Sequence, residues 1–393
     1  MGRTILFLVE PGRAWIGGVY YVRNVLKTLS YAPWIGDCSV HVLVRPDFRE
    51  LFESLASDFL SYTLHERSIV KPWRERLASL LLKPFGYIQD FQISEVSNRI
   101  GADVIFPLGS YPFANVRGCQ VHWIPDFQHL HLPKYFPKQE LRRRGHQHRA
   151  IARRERPLVL SSRSARDDWE RIAPRHRGKV FVLPFISDIE SEISALSPEI
   201  ERRLLDEVGL LDGEAALPYF YIPNQFWQHK NHQVVLDALD CLKSRGRLLP
   251  TIVCTGSVSD HRSKEHASRL LSRIEASGLT DHFRILSMVD RPLQLTIMKH
   301  ARAVLQPSLF EGWNTGVQEA LRLGRPLLMS DLPVHREQCP EGARFFDPLS
   351  APELADHLEN PPEAIELDGE TLRNRNAKTA RHFADGVKEL LVP

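Results

Sequence analysis

The sequence predicts an α/β protein of two doubly wound parallel sheets, and three of its features lead there. Short, mainly apolar runs alternate with longer amphipathic stretches, the pattern of buried strands with helices between them. The alternation occurs twice, in halves of similar make-up, around a stretch near 187–217 where Ser, Asp, Glu and Pro are frequent. At 393 residues the chain is long enough for each half to close a core of its own.

In the first half the candidate strands are Thr4–Val9, Ser39–Arg45, Asp103–Pro107, Gln120–Ile124, Leu158–Ser161 and Val180–Pro184. Helical stretches such as Tyr20–Ser30 and Arg163–Ile172 separate them. In the second half the strands are Tyr219–Pro223, Thr251–Thr255, Arg284–Ser287, Ala303–Gln306, Leu327–Ser330 and Arg344–Asp347. Its helices include His232–Ser244, Lys264–Ala276 and Leu293–His300. The expected organisation is a first domain at 1–186, a linker at 187–217 and a second domain at 218–368. A C-terminal stretch follows at 369–393, in which Glu370–Leu391 reads as a helix.

Composition fits a soluble enzyme, with 43% apolar and 25% charged residues. No run of about 18 apolar residues is present to span a membrane. The start, MGRTILFLVEPG, lacks the basic-then-apolar layout of a signal peptide, and Leu6–Val9 reads as a first buried strand. Cys38, Cys119, Cys241, Cys254 and Cys339 are scattered with no C-x-x-C pair, as expected of a reducing cytoplasm. A net charge of +3 does not by itself imply a nucleic-acid partner.

The most informative stretch is 303–331, AVLQPSLFEGWNTGVQEALRLGRPLLMSD. A strand runs into Pro307 and Ser308, then a turn, a helix and a second strand at Pro326–Ser330. Glu311 and Glu319 stand eight positions apart, with Gly312, Trp313, Asn314, Thr315 and Gly316 between them. Thr315 is the expected N-cap, Val317, Ala320 and Leu321 the apolar face, and Gly324 the terminator. Backbone amides and the positive end of a helix attract phosphate, while carboxylates accept from sugar hydroxyls. Glu311 is thereby placed in the crevice at a strand's carboxyl end, where open α/β sheets bind ligands.

This segment resembles the E-x7-E signature of retaining, GT-B-fold glycosyltransferases of family 4, the glycosyl transferases group 1. The resemblance implies two Rossmann-like domains facing across a cleft, with the C-terminal helix returning to the first. It implies that Glu311 contacts hydroxyls of the donor sugar and Glu319 the nucleotide ribose. Backbone amides of Trp313, Asn314 and Thr315 would contact the sugar and diphosphate. Family members usually carry Phe-Gly where this chain has Trp313-Asn314.

A second motif, YIPNQFWQHKNHQVVLDAL (Tyr221–Leu239), again feeds a strand through a loop into a helix that Asn231 is expected to cap. Lys230 beside that helix start can meet a phosphate. It matches the lysine of the family's Gly-Arg-x4-Lys, which neutralises the leaving diphosphate. Asn224 and Gln225 stand in the glycine and arginine positions, so one positive charge is missing, with His229 a candidate replacement.

Gly17-Gly18, after the first strand, permits close approach of phosphate or sugar to backbone and matches the family's N-terminal glycine loop. On HWIPDFQHLHLPKYF, Asp126, His129 and His131 are candidate acceptor-side groups. Asp126 matches the aspartate of the family's His-Asp pair, Pro125 takes the histidine position, and His129 is the candidate substitute. Met288 and Val289 match positions whose backbone reads the nucleotide base. Ser161–Ser164 match a strand-end loop on the cleft side. No metal site is expected: His129-x-His131 and His146-x-His148 lack a third ligand and there is no D-x-D. Nor are there G-x-G-x-x-G or P-loop sequences, so no nicotinamide or nucleotide-hydrolysing cofactor site is expected.

The resemblance is greatest to bacterial mannosyltransferase-type enzymes of surface polysaccharide assembly. It implies a nucleoside-diphosphate sugar as co-substrate, GDP- or UDP-linked, and a saccharide or lipid-linked saccharide acceptor. Two basic stretches, KPWRERLASLLLKPFGY (71–87) and RRRGHQHRAIARRER (142–156), can face an anionic membrane surface or be, respectively, a core-facing helix and a solvated face. A non-catalytic nucleotide-sugar-binding paralogue and a GT-B epimerase are the alternative functions.

Overall fold

The computed structural model describes residues 2–9, 16–68, 70–109, 111–185, 187, 189–260, 263–338, 343–363, 381–382 and 384–389. Its chain divides into two compact units, Met1–Ile186 with Arg373–Pro393, and Ser187–Leu372.

The first unit's sheet contains β1 (Thr4–Leu8), β2 (Ser39–Val44), β3 (Tyr62–Glu66), β4 (Val104–Leu108), β5 (Cys119–Ile124), β6 (Leu158–Leu160) and β7 (Val180–Val182). They lie in the order β3-β2-β1-β4-β5-β6-β7 and every pairing is parallel. Central β1, β4 and β6 are buried on both faces because helices cover both, which is why their sequences read as apolar runs rather than alternations. The edge strand β3 was not expected. Its sequence, YTLHE, is polar and none of its residues is fully buried, so it lacks the apolar run that marks the others. Residues 381–382 and 384–389 are helical, and Ala384 and Val387 join the core that includes Ile5 and Phe7. The rest of the expected C-terminal helix lies outside the described residues.

In the second unit a hairpin of β8 (Leu211–Asp212) and β9 (Ala215–Ala216) precedes β10 (Tyr219–Ile222), β11 (Thr251–Cys254), β12 (Phe283–Ile285), β13 (Ala303–Gln306), β14 (Leu327–Ser330) and β15 (Arg344–Phe346). The parallel sheet has the order β12-β11-β10-β13-β14-β15. Residues 187–217, expected as a linker, carry helices Glu190–Ser194 and Pro198–Glu207 and belong to this unit. Leu205 and Leu210 pack with Tyr219, Tyr221 and Val304 in its core.

Three histidines are enclosed in the first unit. His122 on β5 and His129 are 0% and 3% exposed, and the His148 ring lies 5.1 Å from that of His129. Burial pushes His122 and His148 down to about 3 and His129 to about 4, with Arg144 adding to the last two shifts and Arg156 to the first. The folded rings therefore stay neutral where unfolded ones, with a pKa near 6.5, take up protons. Their contribution to stability is full above about pH 6.5 and is lost as pH falls towards 4, by up to about 1.4 kcal/mol per pH unit for each ring. Thermal melts between pH 7 and pH 4.5 are expected to show a steep decline that His148→Phe makes shallower. An unchanged slope in that variant would exclude His148 from the effect.

Candidate functional site

Two loops of the second unit build the site. They leave the carboxyl ends of β10 and β13, neighbours at the point where the strand order reverses, and open α/β sheets bind ligands outside that reversal. The β10 loop ends in a short turn, Gln228–Lys230, and the β13 loop opens the helix Thr315–Arg322. Leu309 N–H donates to the His229 carbonyl at 2.8 Å, joining the loops. Asn231, in the left-handed region at φ 57°, does not cap the helix His232–Ser244 as expected. Its Nδ2 donates instead to the carbonyls of Pro307 (3.0 Å) and Pro348 (2.8 Å), fastening the residue after Lys230 to the neighbouring loop.

Lys230 and Glu311 meet as a result. Nζ lies 2.6 Å from Oε1 of Glu311, and Ser308 Oγ donates to the same oxygen at 2.6 Å. The two side chains are only 16% and 9% exposed, so the pair is far better shielded from solvent than a surface ion pair.

Glu319, on the helix Thr315–Arg322, is held from the other side. Its Oε1 accepts from Arg291 Nη2 at 2.8 Å and from Ser187 Oγ at 3.3 Å. The same guanidinium donates to Gln294 Oε1 at 3.0 Å and faces Glu192 at 3.5 Å, which fixes its plane. Arg291 starts its helix two residues before the expected Leu293, because Asp290 Oδ1 caps the N–H of Leu293 at 3.0 Å.

The Trp313-Asn314 departure has a local explanation. Asn314, not Thr315, takes the N-cap position, though without a side-chain cap bond, and Thr315 is exposed. The Asn314 amide is buried and lies 3.4 Å from His335 Nε2, while Gln338 Nε2 donates to its carbonyl at 3.0 Å. His335 Nδ1 lies 2.8 Å from the Ser330 carbonyl, so the bonding assigns the proton to Nδ1 and leaves Nε2 to accept. Burial pushes this ring's pKa down, and the negative charge of Glu311 opposes that shift.

Two glycines allow the loops to approach. A Cβ at Gly316 would come 2.8 Å from Gln306 Nε2, whose Oε1 accepts from Asn224 at 2.8 Å. A Cβ at Gly256, where φ is +127°, would come 2.6 Å from the Asn224 carbonyl, and Gly256 N–H donates to Ser287 at 2.7 Å. Gly256 thus stacks the β11 loop against the Asn224-Gln225 loop and the β12 loop that carries Met288 and Val289. Gln306 Nε2 and Trp313 Nε1 are buried donors without a partner among the described residues, the kind of group that a ligand's oxygens satisfy. The first-turn amides at Thr315 and Gly316 likewise have no intrahelical acceptor.

The structure therefore brings together Lys230, Asn224, Gln225, Glu311, Trp313, Asn314, Thr315, Gly316 and Glu319, with Met288 and Val289 on the adjoining loop. Gly17, Gly18, Asp126 and His129 belong to the first unit. The glycines lie in the first turn of the helix Ile16–Ser30. Asp126 accepts from Gln128 N–H at 2.9 Å, and His131 Nε2 lies 2.7 Å from Asp168 Oδ2. His129 is enclosed, with neither ring nitrogen hydrogen-bonded among the described residues. Sequence reasoning missed Arg291, Ser187, His335 and Gln338, which reach the site from distant segments and carry no local signature. Ser308, inside the PSLFEGW segment, was within reach of it. Among the described residues no group of His, Cys, Asp and Glu is placed to hold a metal ion.

Residues 215–382, which include Lys230, Glu311 and Glu319, match the family described as Glycosyl transferases group 1. No curated protein matches the chain in sequence. Among solved structures, HepE of Anabaena, crystallised with UDP and glucose, is similar with a TM-score of 0.63 at 15% identity, over 99% of each chain. A glycosyltransferase from Rickettsia africae is similar with a TM-score of 0.61 at 14% identity, over 100% of this chain and 93% of that one. WaaG, a glycosyltransferase involved in lipopolysaccharide biosynthesis, is similar with a TM-score of 0.59 at 15% identity, over 97% and 95%. The chain has the GT-B fold of two Rossmann-like domains, and its residues 215–382 are similar to the Glycosyl transferases group 1 family.

Proposed function

We propose that the protein is a retaining, metal-independent hexosyltransferase of the family 4 type. Its donor is a nucleoside-diphosphate hexose, with GDP-mannose the first candidate and UDP-sugars the second. Its acceptor is a hydroxyl of a saccharide or lipid-linked saccharide in bacterial surface polysaccharide or glycoconjugate assembly, on the cytoplasmic side. The observation that carries this reading is the joint placement of Lys230, Glu311, Glu319 and an uncapped helix start on two adjoining strand-end loops. HepE was crystallised with UDP and with UDP-glucose, which supports including uridine donors from the outset.

In this reading Lys230 and the amides near Thr315 stabilise the charge that develops on the leaving diphosphate. Glu311 orients the hexose. Glu319 accepts from the ribose hydroxyls through Oε2, its Oε1 being held by Arg291 and Ser187. The bond from the anomeric carbon to phosphate oxygen breaks, the bond to the acceptor oxygen forms on the same face, and the leaving oxygen takes the acceptor's proton. The acceptor-side assignment of Asp126 and His129 belongs to this proposal.

The test is a melting-temperature screen of GDP, UDP and their hexose conjugates in EDTA, followed by donor turnover and analysis of the product anomer. Stabilisation by one nucleotide, turnover in EDTA and retained configuration are expected. A protein that neither binds nor turns over any of these donors would sink the proposal, and an epimerised donor would redirect it. Arg291→Gln is expected to weaken nucleotide binding about tenfold, because Glu319 then loses its charge-assisted partner, with little change in kcat. Calorimetric titration checks this, and unchanged affinity would rule out the orienting role.

A further inference from the structure

The helix Trp73–Leu82 of the first unit is inside out. Trp73, Leu77, Leu80 and Leu81 recur at helical spacing on one face, and that face is the solvent side, with exposures of 69%, 50%, 65% and 65%. Two of its polar residues, Glu75 and Ser79, point inward. Glu75 is buried and accepts from Phe91 N–H at 3.0 Å, and Ser79 Oγ donates to the Gln89 carbonyl at 3.0 Å. The core-facing alternative weighed for this stretch is thus reversed, because the helix is anchored through Glu75 and Ser79. Val70 before the helix and Phe85 after it extend the exposed apolar strip.

Cations frame the strip. Arg74, Arg76 and Lys83 are exposed along it. The arginine-rich helix Lys138–Arg153 adjoins its far end, where Arg154 donates to the Phe85 carbonyl and lies 4.3 Å from the centre of the Tyr87 ring. Arg142, Arg143, Arg149 and Arg153 on that helix are exposed. The two basic stretches of the sequence therefore meet within one unit, where Arg154 reaches Phe85 and Tyr87.

We propose that this surface docks on an anionic lipid bilayer, with Trp73, Leu77, Leu80, Leu81 and Phe85 entering the headgroup region and the arginines pairing with lipid phosphates. Charge complementarity selects that occupant. A two-fold contact between copies of the chain would set Arg74, Arg76 and Lys83 near their own counterparts, and like charges oppose it. No helix among the described residues is long and apolar enough to cross a membrane, so the contact lies on the surface.

The test sediments the full chain with vesicles of phosphatidylcholine alone and of phosphatidylcholine mixed with phosphatidylglycerol. No sugar donor or acceptor is present, so the result is separate from the transfer reaction. Binding to the anionic vesicles is expected, weakened by added salt and at least about tenfold weaker in Leu80→Glu/Leu81→Glu. Both leucines are exposed, and circular dichroism confirms that the variant folds. Arg142→Gln/Arg143→Gln should weaken binding to anionic vesicles only. Failure of the unaltered chain to bind anionic vesicles, or equal binding by the glutamate variant, would overturn the proposal. So would self-association that the glutamates abolish while vesicle binding is absent.

Discussion

Lys230→Met is expected to lower kcat about 100- to 1,000-fold with donor saturating, the effect of removing one well-placed donor to a developing negative charge. The same change strands Glu311, whose side chain is 9% exposed, and should cost about 2 kcal/mol of stability. A loss of turnover could therefore be a loss of folded protein. The double variant Lys230→Met/Glu311→Gln separates the two, since it removes both charges and should recover most of the melting temperature without recovering turnover. Retained turnover in Lys230→Met at saturating donor would remove the lysine from the chemistry. Recovery of turnover in the double variant would do the same.

Gly256→Ala is expected to destabilise the second unit by about 3 kcal/mol and to weaken donor binding with it. At φ +127° any side chain is strained, and this Cβ would press on a backbone carbonyl, that of Asn224, which cannot swing aside as a side chain can. Relief requires the Asn224-Gln225 loop to move, and Asn224 is the residue whose amide reaches Gln306 in the β13 loop. Chemical denaturation of the variant checks the magnitude. A change below about 0.5 kcal/mol would mean that the loops are less tightly stacked than these distances require.

Much of this arrangement was legible in the sequence, and the part that was not has a common cause. Most strands of both sheets announced themselves because helices cover both faces of the central strands and leave mainly apolar residues there. β3 stayed hidden because an edge strand half open to solvent needs no such run. Lys230, Glu311 and Glu319 stood out because each lies beside the loop or helix start it serves, so the signal is local. Arg291 and Ser187 act on Glu319 from 28 and 132 positions away, His335 and Gln338 act on Asn314 from 21 and 24 positions away, and nothing near them in sequence records the contact. The caps show the same limit. Asn231 has the right residue type and place for a cap, but a distant carbonyl took its amide. The helix Trp73–Leu82 is the sharpest case, because a leucine stripe has the same periodicity whether it faces a core or the solvent. Only the anchoring of Glu75 and Ser79 decides its direction.

The contact between Lys230 and Glu311 also bears on what happens after transfer. An ammonium that already owns a carboxylate must be shared with an arriving diphosphate and is reclaimed when the diphosphate goes. In the proposed reaction Glu311 would thus act as an intramolecular competitor of the nucleotide product, shortening its residence and freeing the site for the next round. Kinetically, the Glu311→Gln protein should be slow in transfer yet inhibited by free nucleoside diphosphate at lower concentrations than the unaltered enzyme.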